Sequence, residues 1–429
     1  MSERTLPFFG GIMSFSIEEN ARKFPRGVIL AIATFLTLGN GLIYMWSIFN
    51  VPLMETFGYT ASGVALAYSL FMLMSCVGSF LSGWLQQHME QRFVVLIAGI
   101  IFSLGWFLSG FAESLPLLYL FFGGLAGTGN GLSYNALLSV ATTWFPDKRG
   151  FANGVCTCGG GMGPVIFAPI GNLLIESFDV MIAFRIVGIA WLAIYLLFTW
   201  FLVMPRAGWK PSGWNPEEQT ATSAVSSQRS FNGREILKQP LFYVLFLILM
   251  VAVTSGQMIN GHASSLGQEL ADLTAAEGAL MVSLLGIGSV VGRLGFGVLS
   301  DKIGRFTSLI IILGLNAAVM LLFLGNATTF IAFLSCMMIV GACFGGTMSV
   351  MPAIVGDSFG SQYFGQNWSF VYPGYTVAAF IGPMVAAKTT EATGSCELAL
   401  IVAGVLALAG IVLVVIGKRL AKQLVQHQS

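Results

Sequence analysis

Twelve apolar runs divide the chain, at roughly 27–52, 63–85, 93–112, 115–143, 151–175, 181–204, 240–267, 277–299, 306–325, 328–353, 364–388 and 397–417. About 20 apolar residues are what a helix needs to cross the hydrocarbon core of a bilayer. Inside that core the backbone must satisfy its own hydrogen bonds, which leaves helices or closed barrels. The runs therefore predict an all-α membrane protein with twelve transmembrane helices. Composition agrees, because 56% of the residues are hydrophobic and only 9% are charged, against about 25% charged in a soluble domain. A net charge of +1 with no dense basic cluster gives no reason to expect nucleic acid as a partner. The six cysteines (Cys76, Cys156, Cys158, Cys336, Cys343 and Cys396) fall almost all in apolar runs without zinc-ligand spacing, so they read as small packing residues.

The connections between runs are short except for residues 205–239, which are rich in Ser, Gln, Glu and Pro. The expected organisation is a tail at 1–26, six helices at 27–204, a central loop at 205–239, six helices at 240–417 and a tail at 418–429. The first 25 residues carry Glu3, Glu18 and Glu19 and no cleavage site, so they read as a tail and not as a cleaved signal. With both termini in the cytoplasm, 17 of the 20 Lys and Arg residues fall on inside segments; Arg185, Arg293 and Lys388 are the other three. Cytoplasmic loops attract this excess. The expected location is therefore the cytoplasmic membrane of a bacterium or archaeon, multi-pass, with a lipid bilayer as surroundings and a monomer as the working unit.

The halves repeat. Sliding residues 63–85 by 214 positions onto 277–299 matches nine of 23, among them Ser75/Ser289, Gly78/Gly292 and Gly83/Gly297. The same offset pairs Gly127/Gly341 and Gly131/Gly345. Two six-helix pseudo-symmetric halves around a central loop resemble the major facilitator architecture, in which substrate binds between the halves.

Arg293 breaks this symmetry, because its repeat mate is Ser79. A cation deep in a span costs from ~2.5 kcal/mol on insertion scales to 10 or more in simulations. Asp301 lies eight residues on, about 12 Å of helix, and no Asp or Glu lies deep in any run. The plainer reading is an arginine bonded to backbone carbonyls or snorkelling to the surface. The sharper one is that an anion is its partner, since guanidinium binds carboxylate through two parallel hydrogen bonds.

The stretch GVLSDKIGR (Gly297, Asp301, Lys302, Gly304, Arg305) resembles the facilitator loop motif, which implies a cytoplasmic gate; the alternative is a plain positive turn. Its counterpart GWLQQHMEQR has Gln87 where Asp301 stands, so the gate is expected to be lopsided. Tyr44, Tyr134, Tyr372 and Tyr375 place hydroxyls mid-span and are candidates for lining a cavity. His262 is the only histidine within a span, either a proton carrier or a structural residue. Pro164, Pro169, Pro373 and Pro383 would bend their helices. No Asp pair, Ser–His pair or metal-ligand cluster points to an enzyme, and nothing implies a cofactor or a nucleotide.

Several motifs together resemble the oxalate/formate antiporter family of the major facilitator superfamily: YMWSIF, WFPDKRGFANG, PRAGWKPSGW, REILKQPLFY and GRLGFGVLSDKIGR. The resemblance runs from about 27 to 418 and implies a carboxylate carrier related to monocarboxylate transporters. It places Arg293 on the family's substrate arginine, and Tyr44 and Tyr134 on aromatic cavity positions. It also implies departures. Tyr375 stands where the oxalate carrier has a second cation, Gly160 replaces a tyrosine, and Phe344 and Met348 take two aromatic positions. Ser289 stands where proton-coupled relatives have an Asp. One buried cation in place of two favours a monoanion. The expected function is thus secondary transport of a small monocarboxylate, with a counter-anion or proton as coupling partner. The alternatives are a dicarboxylate exchanger of the oxalate/formate type and a non-transporting carboxylate sensor.

Overall fold

The computed structural model describes residues 25–205, 209, 211, 230–260, 275–327, 329–393 and 397–426. Among these, ten helices are long and apolar enough to cross a membrane, and the bent pair Arg149–Phe167 and Pro169–Ser177 makes an eleventh. The helical run 115–144 completes twelve. Its second half carries Asn130, Ser133, Asn135, Ser139 and Thr142, all buried, which lowers its hydropathy without bringing it to the surface.

In chain order, α1 is Arg26–Thr37, continued through the 3₁₀ stretch Leu38–Met45 into Trp46–Phe57. Next come α2 (Ala61–Leu85), α3 (Gln91–Ser109), and α4, which is Leu115–Leu118, a π-helical stretch Tyr119–Ala126 and Gly127–Trp144. The first half closes with α5 (Arg149–Ser177) and α6 (Val180–Phe198). The second half holds α7 (Pro240–Asn260), α8 (Ala275–Ile303), α9 (Arg305–Ala318, then Val319–Phe323 and Leu324–Asn326) and α10 (Phe330–Phe359). It ends with α11 (Phe364–Val371, then Pro373–Thr393) and α12 (Glu397–Gln426). Proline marks two of the breaks. α5 bends by 41° between Phe167 and Pro169, and Pro373 follows the gap in α11.

The sequence repeat is also a packing repeat. A Cβ added at Gly131 would sit 1.7 Å from the Ser75 carbonyl oxygen, and one at Gly345 would sit 1.9 Å from that of Ser289. Both contacts are α2 on α4 or α8 on α10, shifted by the same 214 residues. Small residues let the backbones approach where no hydrophobic force drives helices together. Each half therefore builds one tight pair in the same way.

The halves meet along two seams, α5 with α8 and α2 with α11. Each seam has the same geometry. Ser349 donates to the Gly150 carbonyl at 3.1 Å, while its repeat mate Asn135 donates to the Gly365 carbonyl at 2.9 Å. Gly297 lies against Gly150, and its mate Gly83 against Gly365. All four contacts lie toward the end that carries the GVLSDKIGR turn, so the halves are closed together at that end. Gly304 makes the turn there with φ +91°, a conformation that favours glycine.

Candidate functional site

Away from the closed end, the halves part around a cavity of about 560 Å³. Its wall is drawn from α1 (Ile43, Tyr44, Trp46, Asn50), α2 (Ala65, Tyr68, Ser69, Met72), α5 (Gly161), α7 (Gln257), α8 (Leu285, Gly286, Ser289, Arg293), α10 (Phe344) and α11 (Ala379, Phe380, Pro383). A mostly apolar wall with a few placed polar groups is the usual form of a small-molecule site.

Arg293 stands at the inner floor of this cavity and is 5% exposed. Its guanidinium packs on Gly161, where an added Cβ would lie 3.2 Å from Cζ. Nη1 donates to the Thr157 carbonyl of α5, so part of the plainer expectation, backbone bonding, is present. Nε is buried with no hydrogen-bond partner. Asp147, Glu90, Asp357 and Asp301 are ion-paired to Arg26, Arg92, Arg149 and Arg305. A buried, unsatisfied cationic donor is costly.

Three further polar atoms on cavity residues are buried without a partner: Ser289 Oγ, Trp46 Nε1 and Asn50 Oδ1. Ser289 differs from its repeat mate. Ser75 Oγ donates to the carbonyls of Phe71 (2.9 Å) and Gly127 (3.0 Å) and accepts from Asn130 at 3.1 Å. The residue that matches Asn130 is Phe344, which has no hydrogen bond to give. Where the second half departs from the repeat, Ser289 Oγ is left unpaired on a residue of the cavity wall.

The tyrosines form one cluster across the halves. The hydroxyls of Tyr44 and Tyr375 lie 3.4 Å apart, Tyr375 stacks on Tyr372 (centroids 5.4 Å, 14°), and Tyr372 meets Tyr134 at 5.9 Å. Of the residues singled out in the sequence, Arg293, Tyr44 and Phe344 line the cavity. Tyr375 reaches it through Tyr44, while Tyr134 and Tyr372 stand behind in the cluster. Met348 is buried at 4% exposure outside the lining, and Tyr68, which the sequence reading passed over, is part of it. Asn40 and Asn130, buried polar residues of α1 and α4, are engaged with each other, Asn40 Nδ2 donating to Asn130 Oδ1 at 2.9 Å. His262 and the side chain of Asn260 lie outside the described residues.

At the closed end, Asp301 accepts from the backbone N–H groups of Gly150 (3.1 Å) and Phe151 (2.9 Å). A carboxylate on a helix N-terminus satisfies orphan donors and meets the positive end of the helix dipole. Arg305 pairs with Asp301 and donates to Asp357 at 2.9 Å; Arg149, in the other half, donates to Asp357 at 2.7 Å. Asp357 is thus the hub, and the sequence reading did not single it out. Lys302 is exposed and Gly297 supplies the close approach to α5. On the opposite seam Gln87 folds back on its own helix, donating to the Gly83 carbonyl at 2.9 Å, and a neutral Gln86 packs against Gly365 instead.

Two helical halves with a polar-floored cavity between them and a closed seam at one end define a transporter scaffold. The chain belongs to the Major Facilitator Superfamily, whose sequence profile matches residues 30–327 and, in a second match, 255–426. It is 30% identical over 352 residues to the uncharacterized MFS-type transporter YhjX of Escherichia coli K12, covering 81% of this chain and 84% of that one. It is 26% identical over 360 residues to the oxalate:formate antiporter of Oxalobacter formigenes (83% and 82% covered). It is also 26% identical over 383 residues to monocarboxylate transporter 12 of Xenopus laevis (83% and 81%). In fold it is similar to the E. coli fucose:proton symporter FucP, with a TM-score of 0.70 at 13% identity over 91% of this chain and 99% of that one. It matches the proton:xylose symporter XylE equally, at a TM-score of 0.70 and 15% identity (90% and 94%). The chain is therefore a multi-pass membrane transporter and not an enzyme.

Proposed function

We propose that the protein is a secondary carrier of organic monocarboxylates, with Arg293 as the carboxylate-binding residue. The observation that carries this reading is the buried Arg293 Nε, without a partner, on a residue that lines the cavity between the halves. A carboxylate oxygen set against Nε, and its twin against the second guanidinium nitrogen, gives the fork-to-fork pairing that Arg favours. The oxalate:formate antiporter and the monocarboxylate transporter among its relatives carry carboxylate substrates in their names. A single buried cation in the cavity favours a monoanion over a dianion, because the second carboxylate would be desolvated without a partner.

In this reading residues 27–204 and 240–417 are the two moving bodies and 205–239 links them. The excess of Lys and Arg on the loop-motif side makes that side cytoplasmic, so the closed seam faces the cytoplasm and the cavity faces outward. Substrate enters, Arg293 is neutralised, and the halves rock about the site as the Asp301 and Asp357 contacts release. Exchange for an internal anion and symport with a proton are both compatible with this cycle, which one chain completes as a monomer. Uptake of a panel of labelled short carboxylates into proteoliposomes, with and without internal anion, tests the proposal. Uptake of none of them, or uptake untouched by Arg293→Ala, would remove it.

A further inference from the structure

The cavity has a second polar station on α1. Trp46 and Asn50 are four residues apart, hence on one helix face. Trp46 is 4% exposed, and its Nε1 donor has no partner; the Asn50 Oδ1 acceptor has none either. Both residues line the same cavity as Arg293. An unpaired donor and an unpaired acceptor on one face match a group that both accepts and donates, such as a hydroxyl or an amide.

The spacing between the stations follows from helix geometry. The Arg293 guanidinium lies against Gly160 and Gly161 of α5, and this stretch is in backbone contact with Gly41 of α1. From Gly41 the 3₁₀ stretch and the helix after it rise about 10 Å to Trp46 and about 15 Å to Asn50. Both side chains reach inward and shorten the gap. The same wall carries an apolar belt of Ile43, Met72, Leu285, Phe344 and Phe380, with Tyr44 and Ser289 among its polar members. Formate or acetate would leave most of the cavity and the whole second station unused.

We propose that the preferred cargo is an elongated monocarboxylate with a hydrogen-bonding group at its far end, about six to eight bonds from the carboxylate (~1.2 Å per extended bond). This rests on the reading of Arg293 as the carboxylate residue. The distal hydroxyl donates to Asn50 Oδ1 and accepts from Trp46 Nε1, and the aliphatic body lies on the apolar belt. An unsubstituted chain of the same length leaves both polar atoms unpaired and gains no hydrogen bond there, and so binds less well.

The test is calorimetric binding to the purified full-length carrier in detergent, with hexanoate, 6-hydroxyhexanoate and 2-hydroxyhexanoate as probes. The expected order puts 6-hydroxyhexanoate about tenfold or more ahead of both others. In Asn50→Leu and in Trp46→Phe the ratio of 6-hydroxyhexanoate to hexanoate affinity should fall toward one. Equal binding of hexanoate and 6-hydroxyhexanoate by the wild type overturns the second station, as does a preference for the 2-hydroxy acid. Arg293→Ala separates the two readings. Hexanoate affinity that survives it removes the carboxylate site itself, whereas affinity lost with no preference for the distal hydroxyl leaves that site standing and removes only the inference. A wild type that binds none of the three acids overturns both.

Discussion

Asn130 donates to Ser75 at 3.1 Å in the first half, and the matching pair in the second half, Phe344 and Ser289, makes no such bond. The two contacts occupy equivalent places in a repeat that otherwise preserves glycine contacts too close to admit a Cβ. The first half uses its polar pair to lock α2 to α4. The second half gives up that bond and leaves Ser289 Oγ unpaired, on the same cavity wall as Arg293. Phe344→Asn should restore the lock, tying up Ser289 and shrinking the apolar belt. We expect reduced substrate affinity without loss of thermal stability. A lower thermal midpoint in detergent, or unchanged affinity, would show that the asymmetry has no part in binding.

Arg293→Lys keeps the charge and loses the planar fork. Lys offers a point charge on a flexible stem. Transport should fall at least tenfold with normal membrane insertion, and Arg293→Ala should fall further. Initial uptake rates at matched expression decide it, and a lysine variant at wild-type rate would mean that charge alone suffices.

The closing seams differ in chemistry. Asp301 caps α5 across the halves, while Gln87 bonds only its own helix. Asp301→Asn should therefore impair transport more than Gln87→Ala. Asp357 joins Arg149 of one half to Arg305 of the other. Removing its charge leaves Arg149 without its carboxylate and Arg305 with Asp301 alone, both at partly buried positions, which costs about 1–3 kcal/mol of the closed state. A double-mutant cycle of Asp357→Asn with Arg149→Gln should show coupling above ~0.5 kcal/mol. Strict additivity would mean that the pair does not hold the seam.

The twelve spans and the repeat were legible in the sequence because both are written in composition and spacing, which folding does not rearrange. Arg293 was legible for a related reason, as a cation set well inside a long apolar run, whereas Arg185 and Lys388 lie at or near the ends of theirs. The rest depends on rotation about helix axes. Helices that are apolar nearly all round give no periodic signal for which face meets the cavity. Tyr134 and Met348, repeat mates on α4 and α10, therefore passed as cavity residues and stand off it, while Tyr68 went unremarked and lines it. Asp357 escaped notice because a charge near a helix end is ordinary. Its partners come from 208 and 52 residues away, a relation only the fold supplies. Whether Trp46 Nε1 or Asn50 Oδ1 has a partner is likewise a three-dimensional fact.

The final prediction concerns charge counting. Tyr375 sits on α11 with its hydroxyl 3.4 Å from that of Tyr44, a cavity residue from the other half. A lysine at 375 is about as long as the tyrosine but far more flexible, and its ammonium would find Tyr44 and the cavity beyond. With Arg293 below, the cavity would then hold two cations, enough to pair both ends of a compact dianion. Tyr375→Lys should shift preference from lactate toward oxalate, because an unpaired second carboxylate in a low-dielectric site costs several kcal/mol and a paired one does not. The measurement is competition by unlabelled oxalate and lactate against the best labelled substrate, in wild type and variant. A wild type that already prefers oxalate would show that neutral donors stabilise the second carboxylate. Trp46 Nε1 and Ser289 Oγ, both buried and unpaired on the cavity wall, would then be the first donors to remove.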